Sequence, residues 1–280
     1  MDRALLRKFI SEAIKEDVKE GDHTSLACIP PNEKSAAKLL VKEKGVIAGI
    51  ELAEMIFLQI DNTIKIKFNN KDGDNVGVND IAFTVHGNVQ SILKAERLVL
   101  NCMQRMSGIA STTRLYVEKI KGLSAQVLDT RKTTPHFRYL EKWAVRIGGG
   151  SNHRMGLYDM IMIKDNHIEY AGGIKQAINS VKRYLSKNKL LLKVEIETRN
   201  LKEVEQVLSI GGIDRIMLDN FNVPDVQVAV DDISKRYETE VSGGITLQTI
   251  RDYAETGVDY ISVGALTHSY KSLDLSLKAI

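Results

Sequence analysis

The chain has 280 residues, of which 43% are hydrophobic and 27% are charged, with 39 Lys and Arg against 36 Asp and Glu. This ordinary globular composition excludes a disordered chain, and a net charge of +3 is too small to indicate nucleic-acid binding by itself. Cys28 and Cys102 are too few for a disulfide framework and form no CxxC pair, so we expect a reducing, cytoplasmic environment. No apolar run is long enough to span a membrane, and the first residues lack the apolar core of a signal peptide.

The first part of the chain mixes helical and strand patterns. An apolar stripe from Leu5 to Ile14 predicts a helix near the N-terminus. Further patterns predict strands over 36–41, 63–68 and 81–85, and helices over 51–59 and from 91 to about 106. This mixed order predicts an N-terminal α/β domain over residues 1–107.

From residue 125 onwards the pattern becomes regular. Apolar runs of strand length recur at 127–128, 160–163, 190–196, 216–218, 240–241 and 260–263. Helix-like segments lie between them, at 174–185, 201–208, 226–237 and 247–255. Strands that alternate with helices at this spacing predict βα units and a parallel sheet. About six such units within residues 108–268 indicate an α/β barrel, complete or open.

Polar residues follow nearly every one of these apolar runs. They occupy positions 129–132, 164–167, 195–197, 219–220, 242–244 and 264. In a βα barrel the carboxyl ends of the strands meet on one face, and active sites lie there. The early strand ends are mainly cationic and the late ones anionic, which favours a binding site over ordinary loop starts.

The cationic group lies within residues 129–168. This segment holds seven Lys and Arg and four acids, an excess equal to the net charge of the whole chain. Arginine binds carboxylates and phosphates bidentately and lysine adds a point charge, so the group fits a small, multiply anionic ligand. Its strongest members are at strand ends: Arg131, Lys132 and Lys164. Three others have helical spacing and fit a solvated helix face equally well: Arg138, Lys142 and Arg146.

The anionic group follows the next strands. Glu195 and Glu197 are two residues apart on a predicted strand and so share a face, and Asp219 ends the next strand. Carboxylates at this place could hold a Mg²⁺-bound ligand, hydrogen-bond sugar hydroxyls or stabilise a cationic transition state. We expect Glu195 to be a structural ion-pair partner of Lys193 or Lys164 instead.

Two short glycine-containing segments end the last two strands. Glycine lets backbone N–H groups approach an oxyanion, and the N-terminus of a following helix adds its dipole. In many barrels the loops after the last two strands hold a phosphate. We therefore predict a phosphate site formed by Ser242, Gly243, Gly244, Val263, Gly264 and Ala265.

A longer signature runs through the cationic segment. Residues 129–168 read DTRKTTPHFRYLEKWAVRIGGGSNHRMGLYDMIMIKDNHI and closely resemble the quinolinate phosphoribosyltransferase family. The resemblance continues through 95–97, 101–113, 194–197, 216–220, 242–245 and 253–269. It implies an N-terminal α/β sandwich domain, joined by the tail 269–280, and an open, incomplete α/β barrel. It also implies a homodimer in which each subunit completes its neighbour's site.

The resemblance implies a reaction as well. Quinolinate and phosphoribosyl diphosphate would give nicotinate mononucleotide, diphosphate and CO₂ in NAD biosynthesis, with Mg²⁺ and no organic cofactor. By motif position, quinolinate would be bound by Thr130, Arg131, Lys132, His153, Arg154 and the neighbour's Arg97. Lys164 would meet the ligand's anionic groups, and Glu197 and Asp219 would face the ribose and Mg²⁺. The 5′-phosphate would lie on the two glycine-containing segments. The catalytic candidates are Lys132, Lys164, Glu197 and Asp219.

One position departs from the family pattern. Relatives often have Gly where His136 follows Pro135 in this chain. The larger side chain makes the turn bulkier or adds a cation beside it, while Arg131 and Lys132 are intact.

Two other interpretations stay open. Another enzyme on the same barrel is possible, such as a nicotinate-type phosphoribosyltransferase or a lyase that forms a Schiff base on Lys132 or Lys164. A non-enzymatic anion-binding or nucleic-acid-binding protein would need an extended basic patch with interleaved aromatic residues, whereas only 6% of the residues are aromatic. We expect neither nucleic acid nor a membrane as a partner.

Overall fold

A computed structural model describes residues 3–280, and the first two residues lie outside it. The chain forms two compact units, one made of the residues up to Thr112 together with Tyr270–Ile280 and the other of Thr113–Ser269. The division between them falls within one helix, a few residues beyond the predicted boundary at 107. No helix within the described part of the chain is long and apolar enough to cross a membrane.

The first unit is built on antiparallel strands. Its helices are α1 (Arg3–Val18), α2 (His23–Cys28), α3 (Ile50–Ile60) and the first part of α4 (Val89–Lys119). Its strands are β1 (Lys34–Val41), β2 (Gly45–Val46), β3 (Lys65–Phe68), β4 (Asn75–Val76), β5 (Ile81–Asn88) and β12 (Leu275–Ala279). Four of these strands form one sheet in the order β12, β1, β5, β3. The C-terminal strand therefore belongs to the N-terminal unit.

Helix α4 is longer than the sequence pattern predicts. The pattern predicts an end near Met106, whereas α4 runs on to Lys119 through a segment that contains Ser107 and Ser111. In the structure these hydroxyls face other backbone groups: Ser107 Oγ accepts from Ala48 N at 2.9 Å and Ser111 Oγ from Val46 N at 2.8 Å. The helix continues because its hydroxyls bind β2 and the segment after it.

The second unit alternates strands and helices. Its strands are β6 (Gln126–Leu128), β7 (Ile161–Ile163), β8 (Val194–Thr198), β9 (Arg215–Asp219), β10 (Glu238–Ser242) and β11 (Tyr260–Ser262). Its helices include α5 (Arg138–Ile147), α6 (Asp165–Ala171), α7 (Ile174–Asn188), α8 (Leu201–Ile210), α9 (Val223–Ile233), α10 (Ile250–Glu255) and α11 (Ala265–His268). The six strands are parallel, in the order β6, β11, β10, β9, β8, β7.

The parallel sheet does not close on itself, because β6 and β7 stand at its two ends without pairing. The predicted α/β class, with an N-terminal sheet domain and an open barrel-like second part, is confirmed. Strand β8 begins at Val194 rather than 190, since Leu190 and Leu191 are exposed in the connection that follows α7. Helix α9 begins after the Asn222 cap and ends where Ser234 takes a left-handed conformation, not at 237.

Alternation along the strands separates two faces. On β9, Ile216 and Leu218 are fully buried on the face opposite to Met217 and Asp219. The carboxyl ends of the strands form one edge of the sheet, and the polar residues that follow them are collected there. This edge positions the candidate site.

Candidate active site

A cavity of about 780 Å³ lies at the carboxyl edge of the parallel sheet, and its lining comes from the second unit. All predicted site residues of that unit line it except Val263, which is buried. Four cationic side chains and two carboxylates face the space, a net charge of +2: Arg131, Lys132, Arg154, Lys164, Glu197 and Asp219. Such a cavity suits a small ligand with several negative charges.

Two of the cations are available to a ligand. Among residues 3–280, the side chains of Arg131 and Lys132 make no hydrogen bond or ion pair with the protein, and both residues are exposed. The backbone beside them is held, because Lys132 N donates to Thr130 Oγ1 at 3.1 Å and Thr267 Oγ1 donates to Lys132 O at 2.8 Å. Fixed backbone with uncompensated side-chain charge is typical of an anion site.

Arg154 forms the inner wall of the cavity. Its Nη1 atom donates to Met160 O at 3.1 Å, and Nη2 lies 3.6 Å from Met162 Sδ. Burial and the nearby positive charge of Arg131 lower the pKa of Arg154, although a guanidinium stays protonated in a protein. Two neighbouring guanidiniums that repel each other are stabilised when a carboxylate or phosphate binds between them.

Lys164 and Glu197 face each other at the ends of β7 and β8. Lys164 Nζ donates to Glu197 Oε2 at 2.6 Å, and the Glu197 side chain is 12% exposed. Asp219 is held separately: Ser242 Oγ donates to its Oδ1 at 2.6 Å and Asn220 Nδ2 to its Oδ2 at 2.7 Å. Two oriented carboxylates therefore reach the cavity from adjacent strands.

Glycine is required in the predicted phosphate segment after β10. Gly243 has φ +95°, and a Cβ at this position would lie 2.1 Å from Asn220 Oδ1. Gly244 has φ +61° with open space around it. Backbone here can approach an oxyanion closely. Helix α10 begins only at Ile250, so the predicted helix dipole does not directly follow this segment.

His153 forms the boundary between the cavity and the protein interior. It is 8% exposed, its Nδ1 accepts from Arg154 N at 2.6 Å, and burial lowers its pKa. Its Nε2 lies 3.1 Å from Glu195 Oε2 and 3.4 Å from Glu240 Oε2. A ring whose Nδ1 accepts an N–H group is not doubly protonated, so the hydrogen bond from Arg154 N disfavours a positive charge on His153.

Two family profiles match the chain. Residues 22–107 match the quinolinate phosphoribosyl transferase N-terminal domain and residues 109–278 match the C-terminal domain of the same enzyme. The chain belongs to the quinolinate phosphoribosyltransferase family.

Similar proteins come from plants and bacteria. "Quinolinate phosphoribosyltransferase [decarboxylating] 1b" of Nicotiana tabacum is 50% identical, over 98% of this chain and 82% of that protein. The "probable nicotinate-nucleotide pyrophosphorylase [carboxylating]" of Bacillus subtilis is 40% identical over 99% of this chain and 94% of that protein. The crystal structure of NadC from Streptococcus pyogenes has a TM-score of 0.93 and 37% identity, covering 100% of this chain and 99% of that one.

One expectation about a charged residue is wrong. Glu195 pairs with neither Lys193, which binds Glu238 at 3.1 Å, nor Lys164, which binds Glu197. It lies one layer deeper on the interior face of the sheet, where it is fully buried. Both lysines are engaged by other carboxylates, and neither pairs with Glu195.

The sequence left open whether the three cations with helical spacing lie on a solvated helix face. Lys142 is fully buried, and its Nζ donates to Asp129 Oδ1 in a short hydrogen bond and to His153 O at 3.0 Å. Arg138 donates to Thr133 Oγ1 and Met155 O, so only Arg146 fits a solvated face. Helical spacing indicates a shared face but not what covers that face.

The quinolinate phosphoribosyltransferase cavity also contains residues that the sequence pattern missed. His268, Met162 and Met217 line it, and so does Asn220, which the sequence placed after a strand without giving it a role. Glu240 and Arg215 lie beneath it, buried within strands. The sequence feature that could have identified them is a charged residue inside a predicted strand, two residues before a residue that lines the cavity. Arg97 lies exposed on α4 in the first unit.

The departure at His136 has a structural counterpart. His136 adopts φ +61°, the left-handed conformation in which Gly carries no steric penalty. Glycine would suit this turn, and here histidine occupies it instead.

Proposed function

We propose that this protein transfers the phosphoribosyl group of phosphoribosyl diphosphate to quinolinate, releasing diphosphate and CO₂ and forming nicotinate mononucleotide for NAD biosynthesis. The single observation that carries the proposal is the cationic cavity of a quinolinate phosphoribosyltransferase, with Arg131 and Lys132 uncompensated at its wall. Quinolinate has two adjacent carboxylates and the co-substrate has a monophosphate and a diphosphate. A monocarboxylate base would leave part of this positive charge unpaired.

The quinolinate carboxylates are assigned to Arg131, Lys132 and Arg154. Guanidiniums bind carboxylates bidentately and so fix the plane of the ring. The buried thioether side chains of Met162 and Met217 line the same cavity and offer an apolar surface to a flat ring. Binding the ring in one orientation places its nitrogen for attack on the ribose.

The ribose is assigned to Glu197 and Asp219. Breaking the bond from C1 to diphosphate develops oxocarbenium-like positive charge, which a carboxylate stabilises more strongly in the transition state than in the ground state. Glu197 Oε2 accepts a hydrogen bond from Lys164 Nζ, and the hydrogen bonds from Ser242 and Asn220 orient Asp219 before substrate arrives. The glycine backbone after β10 is assigned to the 5′-phosphate.

Mg²⁺ is part of the proposal. Oxygen ligands are what Mg²⁺ prefers, and it commonly binds through one or two carboxylates together with substrate phosphates. Glu197 and Asp219 fit that pattern because they are two carboxylates at one cavity. Each is held in place by another protein group, and the two alone do not enclose an ion. When bound, Mg²⁺ neutralises the negative charge of the leaving diphosphate.

Ribosyl transfer precedes decarboxylation in this proposal. Loss of CO₂ breaks the bond to the ring carbon next to nitrogen and leaves the electron pair on that carbon, which then takes a proton from solvent. A positively charged, ribosylated nitrogen stabilises this electron pair, whereas the free base does not. A decarboxylated free base that forms before any nucleotide would contradict the order.

The decisive experiment is an assay of the purified protein. It is mixed with quinolinate, phosphoribosyl diphosphate and Mg²⁺, and nicotinate mononucleotide is followed by mass spectrometry, with nicotinate as the parallel substrate. Product from quinolinate alone is the expected result. Product from nicotinate alone would overturn the dicarboxylate assignment, and no product from either would point to a binding protein on this fold.

The neighbour's Arg97 is proposed to complete each site in a homodimer. The family resemblance and the exposure of Arg97 on α4 support this. Arg97→Ala and Lys164→Ala subunits, each inactive alone, should regain about a quarter of wild-type activity when randomly mixed, because half of the dimers then hold one intact site. No recovery in verified mixed dimers would contradict a shared site.

The proposed compartment is the cytoplasm. Cys28 and Cys102 are both free thiols, which fits a reducing environment. Fractionation of the source cells with an antibody to this protein tests the assignment.

A further inference from the structure

Charged side chains lie beneath the cavity, in a layer that bulky apolar residues dominate in α/β barrels. Glu195 on β8, Arg215 on β9 and Glu240 on β10 follow one another across three neighbouring strands on one face of the sheet. All three are buried, Glu195 and Glu240 completely. The transfer chemistry proposed above uses none of them. Because buried charge is costly unless it is compensated, this group calls for its own explanation.

Arg215 anchors Glu240. Its Nη1 donates to Glu240 Oε2 at 2.7 Å, while its Nε and Nη2 donate to Glu238 Oε2 at 3.1 and 2.9 Å. Ser262 Oγ donates a short hydrogen bond to Glu240 Oε1. Both oxygens of Glu240 are thus held from within the sheet, and its carboxylate is fixed in one place.

His153 lies against the two carboxylates. Its Nδ1 accepts the backbone N–H of Arg154 and therefore carries no proton, so the ring proton is on Nε2. That atom faces Glu195 Oε2 at 3.1 Å and Glu240 Oε2 at 3.4 Å. The Nε2 atom and both Glu195 oxygens are buried without an aligned hydrogen bond, so the polar N–H group and the acidic side chain interact through their close approach.

We propose that Glu240, anchored through Arg215, and Glu195 beside it are positioning residues that hold His153 as a neutral Nε2–H ring and thereby fix Arg154 at the cavity wall. The proposal rests on the proposed function, in which Arg154 binds a carboxylate of quinolinate. The other charged groups near the ring are Arg215, Arg154 and Lys142, whose Nζ donates to His153 O at 3.0 Å. They all disfavour a second ring proton.

A divalent cation is the other species that such a cluster could hold. The candidate ligand atoms of His153, Glu195 and Glu240 lie within 4.8 Å of one another. Arg215 already supplies positive charge to Glu240 Oε2, and the charges of Arg154 and Lys164 also act on Glu195. A further cation would be repelled by all three, so the geometry favours the proton-bearing ring.

The first test needs no variant of the cluster. The chain has six histidines, so [¹⁵N]histidine labelling gives a small set of ring signals, and His153→Gln identifies the one to follow. Long-range ¹H–¹⁵N spectra of wild-type protein should show the neutral Nε2–H tautomer at about pH 6 to 8. An Nδ1–H tautomer or a doubly protonated ring at neutral pH would overturn the proposal. A stoichiometric divalent metal that disappears in His153→Gln would overturn it too.

The second test compares Glu240→Gln with Glu238→Gln. Glu238 is on the same strand and binds the same Arg215, but it faces Lys193 rather than His153. Glu240→Gln should raise KM for quinolinate roughly 10- to 100-fold through misplacement of Arg154, leaving KM for phosphoribosyl diphosphate within about twofold. It should also change the His153 ring signals, and Glu238→Gln should do neither.

Equal effects of the two variants on quinolinate would mean that only the packing of Arg215 matters, and would overturn positioning of His153. If wild-type protein makes no nucleotide, the proposed function fails, while the tautomer measurement still decides the positioning.

Discussion

Lys164 and Glu197 form an ion pair between the ends of two paired strands, β7 and β8, with Nζ 2.6 Å from Oε2. The lysine side chain is 42% exposed and the glutamate 12%, so the carboxylate is the more enclosed partner. This places a fixed negative charge in a cavity whose lining is positive overall. A substrate anion can therefore engage Lys164 while Glu197 remains in place for the ribose.

Glu197→Gln should lower kcat by about 10²-fold with little change in KM for quinolinate, because the amide keeps the shape and loses the charge that stabilises the transition state. Steady-state kinetics on both substrates check this. Glu203→Gln is the matched control, since Glu203 is also ion-paired and 12% exposed but lies on α8, outside the cavity. A change in KM alone would argue against transition-state stabilisation by Glu197.

Gly243→Ala should raise KM for phosphoribosyl diphosphate at least tenfold, because the new Cβ would overlap Asn220 and force the backbone away from the phosphate. Gly257→Ala is the control: it has a similar positive φ of +80° but a nearest neighbour 4.0 Å away, in the turn before β11. Comparable kinetic losses in both variants would show that backbone strain alone, and not the phosphate loop, is responsible.

Arg131→Ala should reduce kcat/KM for quinolinate roughly 10- to 150-fold, the loss expected when a charge-assisted hydrogen bond worth about 1.5–3 kcal/mol is removed. Titration calorimetry with quinolinate measures the same loss directly. Arg183→Ala removes an exposed arginine from α7 and should leave both quantities unchanged. Unaltered quinolinate binding in Arg131→Ala would remove this residue from the proposed site.

Stability should depend on pH through Glu195. Burial raises its pKa to about 7 from an ordinary value of 4.5. The folded protein therefore holds a proton that the unfolded chain releases, and the stabilisation present below pH 4.5 is lost as the pH rises through about 7. Relative to Glu195→Gln, which cannot titrate, the unfolding free energy of wild type should fall by up to about 1.4 kcal/mol per pH unit in this window.

Urea unfolding followed by the fluorescence of Trp143 measures this quantity, because the chain has one tryptophan and it is buried in the second unit. Glu205→Gln, on the exposed side of α8, should differ from wild type by a constant amount at every pH. Parallel curves for wild type and Glu195→Gln would contradict a protonated, buried carboxyl group.

Local sequence patterns located the cavity because its residues follow apolar runs, and that relation is visible within a few positions. Arg131, Lys164 and Asp219 were identified in this way. The Arg215–Glu240 pair was not, since it joins two strands and only the sheet order brings its members together. The place of Lys142 stayed open for a similar reason: its partner Asp129 follows the end of β6, and nothing in the helical spacing reveals that contact.

Strand β12 pairs with β1 although the whole of Thr113–Ser269 separates them in the sequence. On the ribosome, the catalytic unit is therefore synthesised completely before the N-terminal sheet can gain its last strand. Until then β1 presents an unpaired edge, with open backbone groups that invite association with other chains. The second unit, which carries the candidate active site, can thus be completed first. The first unit leaves the ribosome earliest, but it is the last to finish folding.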